Sequence, residues 1–123
     1  MRIFKTAYFH RLAQNETLPD MHLKHIVQEL EQGLFEANLG GNLFKKRIAI
    51  GNKGKSGGLR SIIAYKKSDK VIFLYCYAKN VMDNISHKET EAFKKLSKYY
   101  LNLDDLSLQK LLKNKELIEV KNE

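Results

Sequence analysis

Two stretches rich in β-branched and aromatic residues follow one another in the second half of the chain. They run from Leu59 to Lys66 and from Val71 to Tyr77, and the short polar segment Lys67-Ser68-Asp69-Lys70 joins them. A connection this short joins antiparallel neighbours, so the pattern predicts a β-hairpin. The second stretch is apolar at nearly every position, which is typical of a central strand covered on both faces. The rest of the fold must be built around this pair of strands.

Helical patterns and a further strand pattern flank the predicted hairpin. The clearest helix follows Pro19, with Asp20 as its expected cap. Its apolar residues recur at the spacing of one helical face: Leu23, Ile26, Val27, Leu30 and Leu34. A strand is expected from Leu43 to Ile50, and Ser86-His87-Lys88-Glu89 has the pattern of a capping box that opens another helix.

The two ends of the chain carry weaker patterns. The residues from Arg2 to Lys5 fit either a short strand or the start of a helix, and a helix is expected from about Thr6 to Asn15. The last segment, Leu103 to Val120, predicts a short helix followed by a strand at Leu117-Ile118-Glu119-Val120. We therefore predict an α+β domain in which the N-terminal helices pack on one face of a small antiparallel sheet, with a C-terminal helix.

The length and composition are those of one globular domain. The chain has 123 residues, of which 43% are hydrophobic and 29% charged. We expect a single domain over residues 1–123, with about 103–123 as a C-terminal extension. Cys76 is the only cysteine, which excludes an internal disulfide, and no apolar run is long enough for a signal or membrane segment. We expect a cytoplasmic protein without a membrane partner.

Positive charge is concentrated in the middle of the chain. The formal net charge is +8, and residues 37–68 contain no Asp or Glu. This window holds eight basic residues: Lys45, Lys46, Arg47, Lys53, Lys55, Arg60, Lys66 and Lys67. If the strands that carry these residues are neighbours, their cations converge on one region, which predicts a polyanion-binding surface. The alternative is a solvated, charged sheet edge that discourages aggregation.

Two motifs resemble those of a known family. The segment from Gly54 to Tyr65, with its Gly-Lys-Ser-Gly-Gly-Leu-Arg start, resembles RelE-type toxins of bacterial type II toxin–antitoxin modules, especially the HigB-like branch. The resemblance continues in Tyr77-Ala78-Lys79-Asn80 and in Asp83-Asn84-Ile85-Ser86. Val81 departs from the pattern, because relatives often carry an acidic residue after Lys-Asn.

The resemblance implies a specific activity and specific partners. The activity is that of a ribosome-dependent mRNA endonuclease, an mRNA interferase that inhibits translation. The implied partners are the ribosome, mRNA and a neutralising antitoxin of the helix-turn-helix, HigA-like type.

RNA cleavage through its own 2′-hydroxyl requires neither a metal nor a cofactor, because the nucleophile belongs to the substrate. Arg60 carries the permanent, forked charge that suits a scissile phosphate. Crowded lysines lose protons more readily than isolated ones, so Lys53, Lys55 and Lys79 are candidates for general base or acid. The RNA-binding residues are expected to be the strand cations and two tyrosines: Lys45, Lys46, Arg47, Tyr65, Lys66 and Tyr77. Either tyrosine could stack on a base or donate a proton.

Two other functions use the same features. One is a non-catalytic nucleic-acid-binding module that uses the basic surface alone. The other is a toxin of the related ParE type, which shares the fold and inhibits DNA gyrase without cleaving RNA. Gyrase inhibition needs no groups that stabilise a phosphoryl transition state. The cations in and beside the glycine-rich segment from Gly51 to Gly58 therefore favour the endonuclease.

Overall fold

The structure is a computed structural model that describes residues 1–15, 18–49, 58–79, 82 and 84–121. Four helices and six strands occur in these residues. In chain order they are β1 (Arg2–Thr6), α1 (Ala7–Asn15), α2 (Asp20–Glu31), β2 (Ala37–Gly40), β3 (Leu43–Ile48), β4 (Leu59–Lys66), β5 (Lys70–Ala78), α3 (His87–Leu101), α4 (Asp105–Lys113) and β6 (Leu117–Val120).

The six strands form one mixed sheet in the order β2-β3-β4-β5-β1-β6. The predicted hairpin is confirmed, because β4 and β5 pair antiparallel from Leu59↔Ala78 to Lys66↔Lys70. The prediction of a purely antiparallel sheet is wrong, since β1 pairs parallel with β5. Residues Arg2 to Thr6 thus form a strand, the first of the two alternatives for this segment. Ile3 and Phe4 are both buried, because β1 lies inside the sheet between β5 and β6.

Helices cover both faces of the sheet, which corrects the predicted one-sided packing. On one face, which we call the α2 face, Leu23 and Leu30 of α2 pack with Phe9 of α1 against the strands. On the other, the α3 face, Leu101 of α3 and Leu108 of α4 pack on alternate strand residues such as Ile62. Two covered faces explain why β5 is apolar at nearly every position.

The helix boundaries agree with most of the local sequence signals. At α3 the capping box is confirmed: Ser86 Oγ accepts a hydrogen bond from the Glu89 backbone N–H, and Glu89 accepts one from the Ser86 N–H. The predicted cap at Asp20 is wrong. Helix α2 begins at Asp20 itself, whose carboxylate accepts a hydrogen bond from Lys5 Nζ at 2.7 Å.

The last part of the chain contributes to the sheet and the core. Asp104 caps α4, because its Oδ1 accepts a hydrogen bond from the Ser107 N–H at 2.7 Å. The predicted final strand is confirmed as β6, which pairs antiparallel with β1. Its Leu117 and Val120 are each 1% exposed; Leu117 belongs to the core on the α3 face and Val120 to the core on the α2 face.

Candidate functional site

Arg60 and Tyr77 lie directly opposite each other on β4 and β5. Both side chains point to the α3 face, because they alternate with Leu59 and Cys76, which pack on the α2 face. Arg60 is 2% exposed and Tyr77 is 6% exposed. The Tyr77 hydroxyl is buried and has no hydrogen-bond partner within the part of the chain that the structure describes. The permanently charged guanidinium of Arg60 and the hydroxyl of Tyr77 therefore belong to cross-strand neighbours on the same face of the sheet.

Glu36 holds the two arginines of this region together. Its Oε2 lies 2.7 Å from Arg47 Nε and 3.6 Å from Arg60 Nε, and Arg47 is the cross-strand neighbour of Arg60. Glu36 directly precedes the window of residues 37–68 that lacks acidic residues. The window therefore contains no acidic residue, but in the folded protein the carboxylate of Glu36 lies beside two of its arginines. Glu36 compensates part of its charge, a contact that the sequence pattern did not indicate.

Burial sets the protonation state of the tyrosine. Loss of solvent raises the pKa of the Tyr77 phenol above its ordinary value of 10.0, and the guanidinium of Arg60 acts in the opposite direction. The net shift is upward, so the Tyr77 hydroxyl keeps its proton at neutral pH. A neutral phenol beside a cation can donate a hydrogen bond or a proton to an oxygen that develops negative charge.

Two of the predicted lysines lie near this pair. Lys45 is on the α3 face of β3, and its Nζ donates a hydrogen bond to Asn84 Oδ1 at 3.3 Å. The same Asn84 oxygen accepts from the Ile85 N–H at 2.9 Å, which orders the segment before α3. Lys79 follows the end of β5, two positions after Tyr77, and is exposed. Lys53 and Lys55 lie outside the described residues.

The structure does not bring the remaining predicted residues to this place. Lys46 lies on the α2 face, where it is 3% exposed and forms an ion pair with Glu29 of α2 at 3.2 Å. Tyr65 also lies on the α2 face, packed edge-on against Phe44. Lys66 is at the opposite end of β4 from Arg60, a separation of about 20 Å at the rise of a strand. The expectation that all the strand cations converge on one region is wrong.

Sequence reasoning missed an aromatic stack beside the site. Tyr75 stacks on Tyr8 of α1, with ring centroids 5.6 Å apart, and on Phe93 of α3 at 5.3 Å. It also contacts Tyr77 at 5.8 Å. The sequence pattern placed Tyr8 only on a helix, since nothing in the sequence indicates that α1 begins next to the end of β5. The stack supports Tyr77 from one side and leaves Tyr8 about half exposed.

The described residues show neither a membrane span nor a metal cluster. Of the helices in this part of the chain, none has the length and apolar character needed to cross a bilayer. Within the same residues, no three His, Cys, Asp or Glu side chains lie close enough together to hold a metal ion.

The fold and the site define a small basic α+β domain with an arginine–tyrosine pair in its sheet. A sequence profile of the family described as the RelE toxin of the RelE/RelB toxin–antitoxin system matches residues 1–120. Because the match spans nearly the whole chain, the protein belongs to the RelE family of toxins.

A second comparison gives a partial similarity. The chain is 39% identical over 87 residues to proteins described as ribosomal RNA small subunit methyltransferase G, from Borrelia recurrentis (strain A1) and Borrelia duttonii (strain Ly). The aligned segment covers 68% of this chain and 40% of each of those proteins. The chain thus spans less than half the length of these curated relatives.

Proposed function

We propose that this RelE-family toxin is a ribosome-dependent mRNA endonuclease of the HigB-like branch, acting in the cytoplasm. The observation that carries the proposal is the Arg60–Tyr77 pair. A guanidinium lies beside a protonated hydroxyl that has no partner among the described residues, and Glu36 and the aromatic stack hold the two groups.

The proposed reaction is attack by the 2′-oxygen of one nucleotide on the adjacent phosphorus. The bond from phosphorus to the 5′-oxygen breaks, which leaves a 2′,3′-cyclic phosphate on one product and a 5′-hydroxyl on the other. A base takes the proton of the 2′-hydroxyl, and the departing 5′-oxygen must gain a proton. The substrate supplies the nucleophile, so the protein contributes orientation, charge and proton transfer.

Each residue of the site has a role in this scheme. Arg60 binds the non-bridging oxygens of the phosphate, whose negative charge grows in the transition state. To reach this buried group, the phosphate displaces the 3.6 Å contact with Glu36. Tyr77 donates its proton to the leaving oxygen, as its raised pKa allows. The base is one of Lys53, Lys55 and Lys79.

Arg47 and Lys45 are the proposed RNA contacts at the edge of this site, because both are more accessible than Arg60 and lie on the same face. Lys46 and Tyr65 are not among the proposed RNA contacts, since both lie on the α2 face. The proposed antitoxin is a helix-turn-helix, HigA-like protein. A short neighbouring gene with that pattern would support this part of the proposal.

The burial of Arg60 beside Tyr77 favours RNA cleavage over the two competing functions, nucleic-acid binding without cleavage and gyrase inhibition. A nucleic-acid-binding module needs cations on its surface, whereas Arg60 is buried beside a proton donor. A ParE-type gyrase inhibitor likewise has no use for a guanidinium and a phenol placed together to stabilise a phosphorane.

Induced expression in a bacterium tests the proposal. The 5′ ends of cellular mRNA are mapped with and without an inhibitor of translation initiation, for the natural protein and for Arg60→Gln. We expect new ends within translated regions, their loss when ribosomes are not loaded, and their absence in Arg60→Gln. Unchanged mRNA in cells that contain soluble natural protein would refute the endonuclease.

A further inference from the structure

A groove lined by lysines crosses the C-terminal half of α3, away from the Arg60–Tyr77 site. Lys66 of β4 and Lys94, Lys95 and Lys98 of α3 line a cavity of about 360 Å³. Among the described lining residues only Glu91 is acidic, and it pairs with Lys94 at 3.4 Å. Lys66, Lys95 and Lys98 form no ion pair within the part of the chain that the structure describes. The cavity therefore carries excess positive charge.

A hydrogen bond joins α3 to the turn that lines one side of this cavity. Ser97 is fully buried, and its hydroxyl donates to the carbonyl of Gly41 at 3.0 Å, in the turn between β2 and β3. Gly41 has a positive φ of 61°, and a Cβ there would meet Lys94 Cγ at 3.7 Å. The turn thus packs on α3 and fixes the position of this helix, which carries three of the cavity's lysines, relative to the sheet.

The groove continues past this cavity. A second cavity of about 470 Å³ shares Lys95, Lys98 and Asn102 with the first and extends to Tyr99. Its far end is lined by Asp104, whose carboxylate accepts the hydrogen bond from the Ser107 N–H that caps α4. The Tyr99 ring is 53% exposed and contacts Tyr100 edge-on. Lys94 and Lys98 are one helical turn apart, about 6 Å along the axis, which is close to the separation of successive phosphates in an RNA strand. Cations beside an exposed aromatic ring are the features of a surface that binds single-stranded nucleic acid.

We propose that this lysine groove is a second RNA-binding surface, which holds backbone phosphates through Lys66, Lys94 and Lys98 and stacks a base on Tyr99. The choice of RNA as the ligand rests on the proposed function. Lys66 and Arg60 are about 20 Å apart along β4, so the groove contacts the same RNA strand several nucleotides away from the cleaved bond.

Salt-dependent binding tests the groove independently of cleavage. The ligand is a fully 2′-O-methylated RNA oligonucleotide long enough to span both sites, which the proposed chemistry cannot cut. Its Kd is measured by fluorescence anisotropy over a salt series for the natural protein and Lys66→Gln/Lys98→Gln. The matched control is Lys113→Gln/Lys121→Gln, which removes the same charge from exposed positions outside both cavities. Thermal unfolding followed by circular dichroism verifies that each variant is folded.

We expect the groove variant to raise the Kd at least fivefold and to lower the slope of log affinity against log salt by about 1.4, or 0.7 for each phosphate that the protein no longer neutralises. We expect the control variant to leave the Kd and the salt slope almost unchanged. Tyr99→Leu raises the Kd about fivefold and leaves the slope unchanged, because it removes stacking and not charge. Equal effects of the two double variants would overturn the proposal. So would a groove variant that loses affinity for polyglutamate while it keeps its affinity for RNA.

The outcomes separate the groove from the proposed function. If the protein cuts no mRNA but the groove variant still loses affinity and slope, the groove stands and the endonuclease fails. If mRNA is cut and the salt slope of the groove variant is unchanged, the endonuclease stands and the groove fails.

Discussion

At the scale of single residues, the Tyr77 hydroxyl is a polar group that folding leaves unsatisfied within the described part of the chain. A buried hydroxyl without a partner costs about 1–3 kcal/mol relative to its hydrated state. Tyr77 is 6% exposed and lies beside the buried charge of Arg60. The lost hydration of this hydroxyl lowers the stability of the fold, but it also fits the proposed role as proton donor. A hydroxyl that already donated a hydrogen bond in the free protein would be less available to the leaving oxygen.

Tyr77→Phe separates the two effects. Removal of the hydroxyl should leave the free energy of unfolding unchanged or raise it by about 1 kcal/mol, since no hydrogen bond is lost. Cleavage should fall about 100-fold, the lower range for loss of a general acid. Urea unfolding and cleavage of ribosome-bound mRNA are the measurements. Tyr65→Phe, on the α2 face, is the control and should cleave normally. Full activity in Tyr77→Phe would remove the hydroxyl from the mechanism.

At the level of the secondary-structure elements, two adjacent lysines of β3 lie on opposite faces of the sheet and make different contacts. Lys45 points to the α3 face and reaches Asn84, whereas Lys46 points to the α2 face and anchors α2 through Glu29. The alternation of a strand separates them completely. Sequence alone predicted RNA binding for both, because residue type and charge are the same at the two positions.

Lys46→Gln and Lys45→Gln form a matched pair that tests this division. Loss of the Lys46 charge removes the buried cation that Glu29 contacts, so the free energy of unfolding should fall by about 3 kcal/mol. RNA affinity per folded molecule should stay the same. Lys45→Gln should show the reverse, with weaker RNA binding and nearly unchanged stability. Denaturant unfolding and RNA-binding titrations are the measurements, and equal losses of RNA affinity in both variants would contradict the assignment of faces.

The cap of α4 gives stability that depends on pH. The hydrogen bond from the Ser107 backbone N–H lowers the pKa of Asp104 below its ordinary value of 3.8. A carboxylate with a lowered folded-state pKa stabilises fully above the unfolded value, and its contribution is lost as pH falls through the folded value. The difference in Tm between the natural protein and Asp104→Ala should therefore be constant near neutral pH and shrink below about 3.8.

Asp104→Asn provides the control for this cap. Asparagine accepts the same hydrogen bond without titrating, so its Tm advantage over Asp104→Ala should persist at acidic pH. A difference between the natural protein and Asp104→Ala that does not change with pH would show that the charge of Asp104 has no part in capping.

At the scale of the whole molecule, the sheet joins the two ends of the chain. β1 lies between β5 and β6, and Arg2 forms a bidentate ion pair with Glu119 at 3.0 Å. Double substitution Leu117→Ala/Val120→Ala should lower the free energy of unfolding by at least about 4 kcal/mol, because both side chains are buried. Ile118→Ala, at a partly exposed position of β6, should cost far less. Denaturant unfolding distinguishes the two, and similar losses would contradict the role of β6 in the core.

The sequence was most informative where a signal is local. The β4–β5 hairpin, the apolar face of α2 and the capping box at Ser86 each depend on residues a few positions apart. The parallel pairing of β1 with β5 joins residues about seventy positions apart, and a short strand does not specify its partner. The same limit applies to the site. Arg60 and Tyr77 carry recognisable chemistry, but the contact with Glu36 and the stack on Tyr8 arise only from the fold.

In the proposed mechanism, the 2′-hydroxyl of the substrate is the nucleophile and Arg60 stabilises the reacting phosphate. The most direct measurement uses purified ribosomes loaded with an mRNA whose scissile nucleotide carries either ribose or a single 2′-deoxyribose. We expect the ribose substrate to yield a 2′,3′-cyclic phosphate and a 5′-hydroxyl, and the deoxy substrate to stay intact. We expect Arg60→Lys to cut the ribose substrate at least about 100-fold more slowly. Cleavage of the deoxy substrate at the same bond, or a 5′-phosphate on the product, would contradict the proposed mechanism.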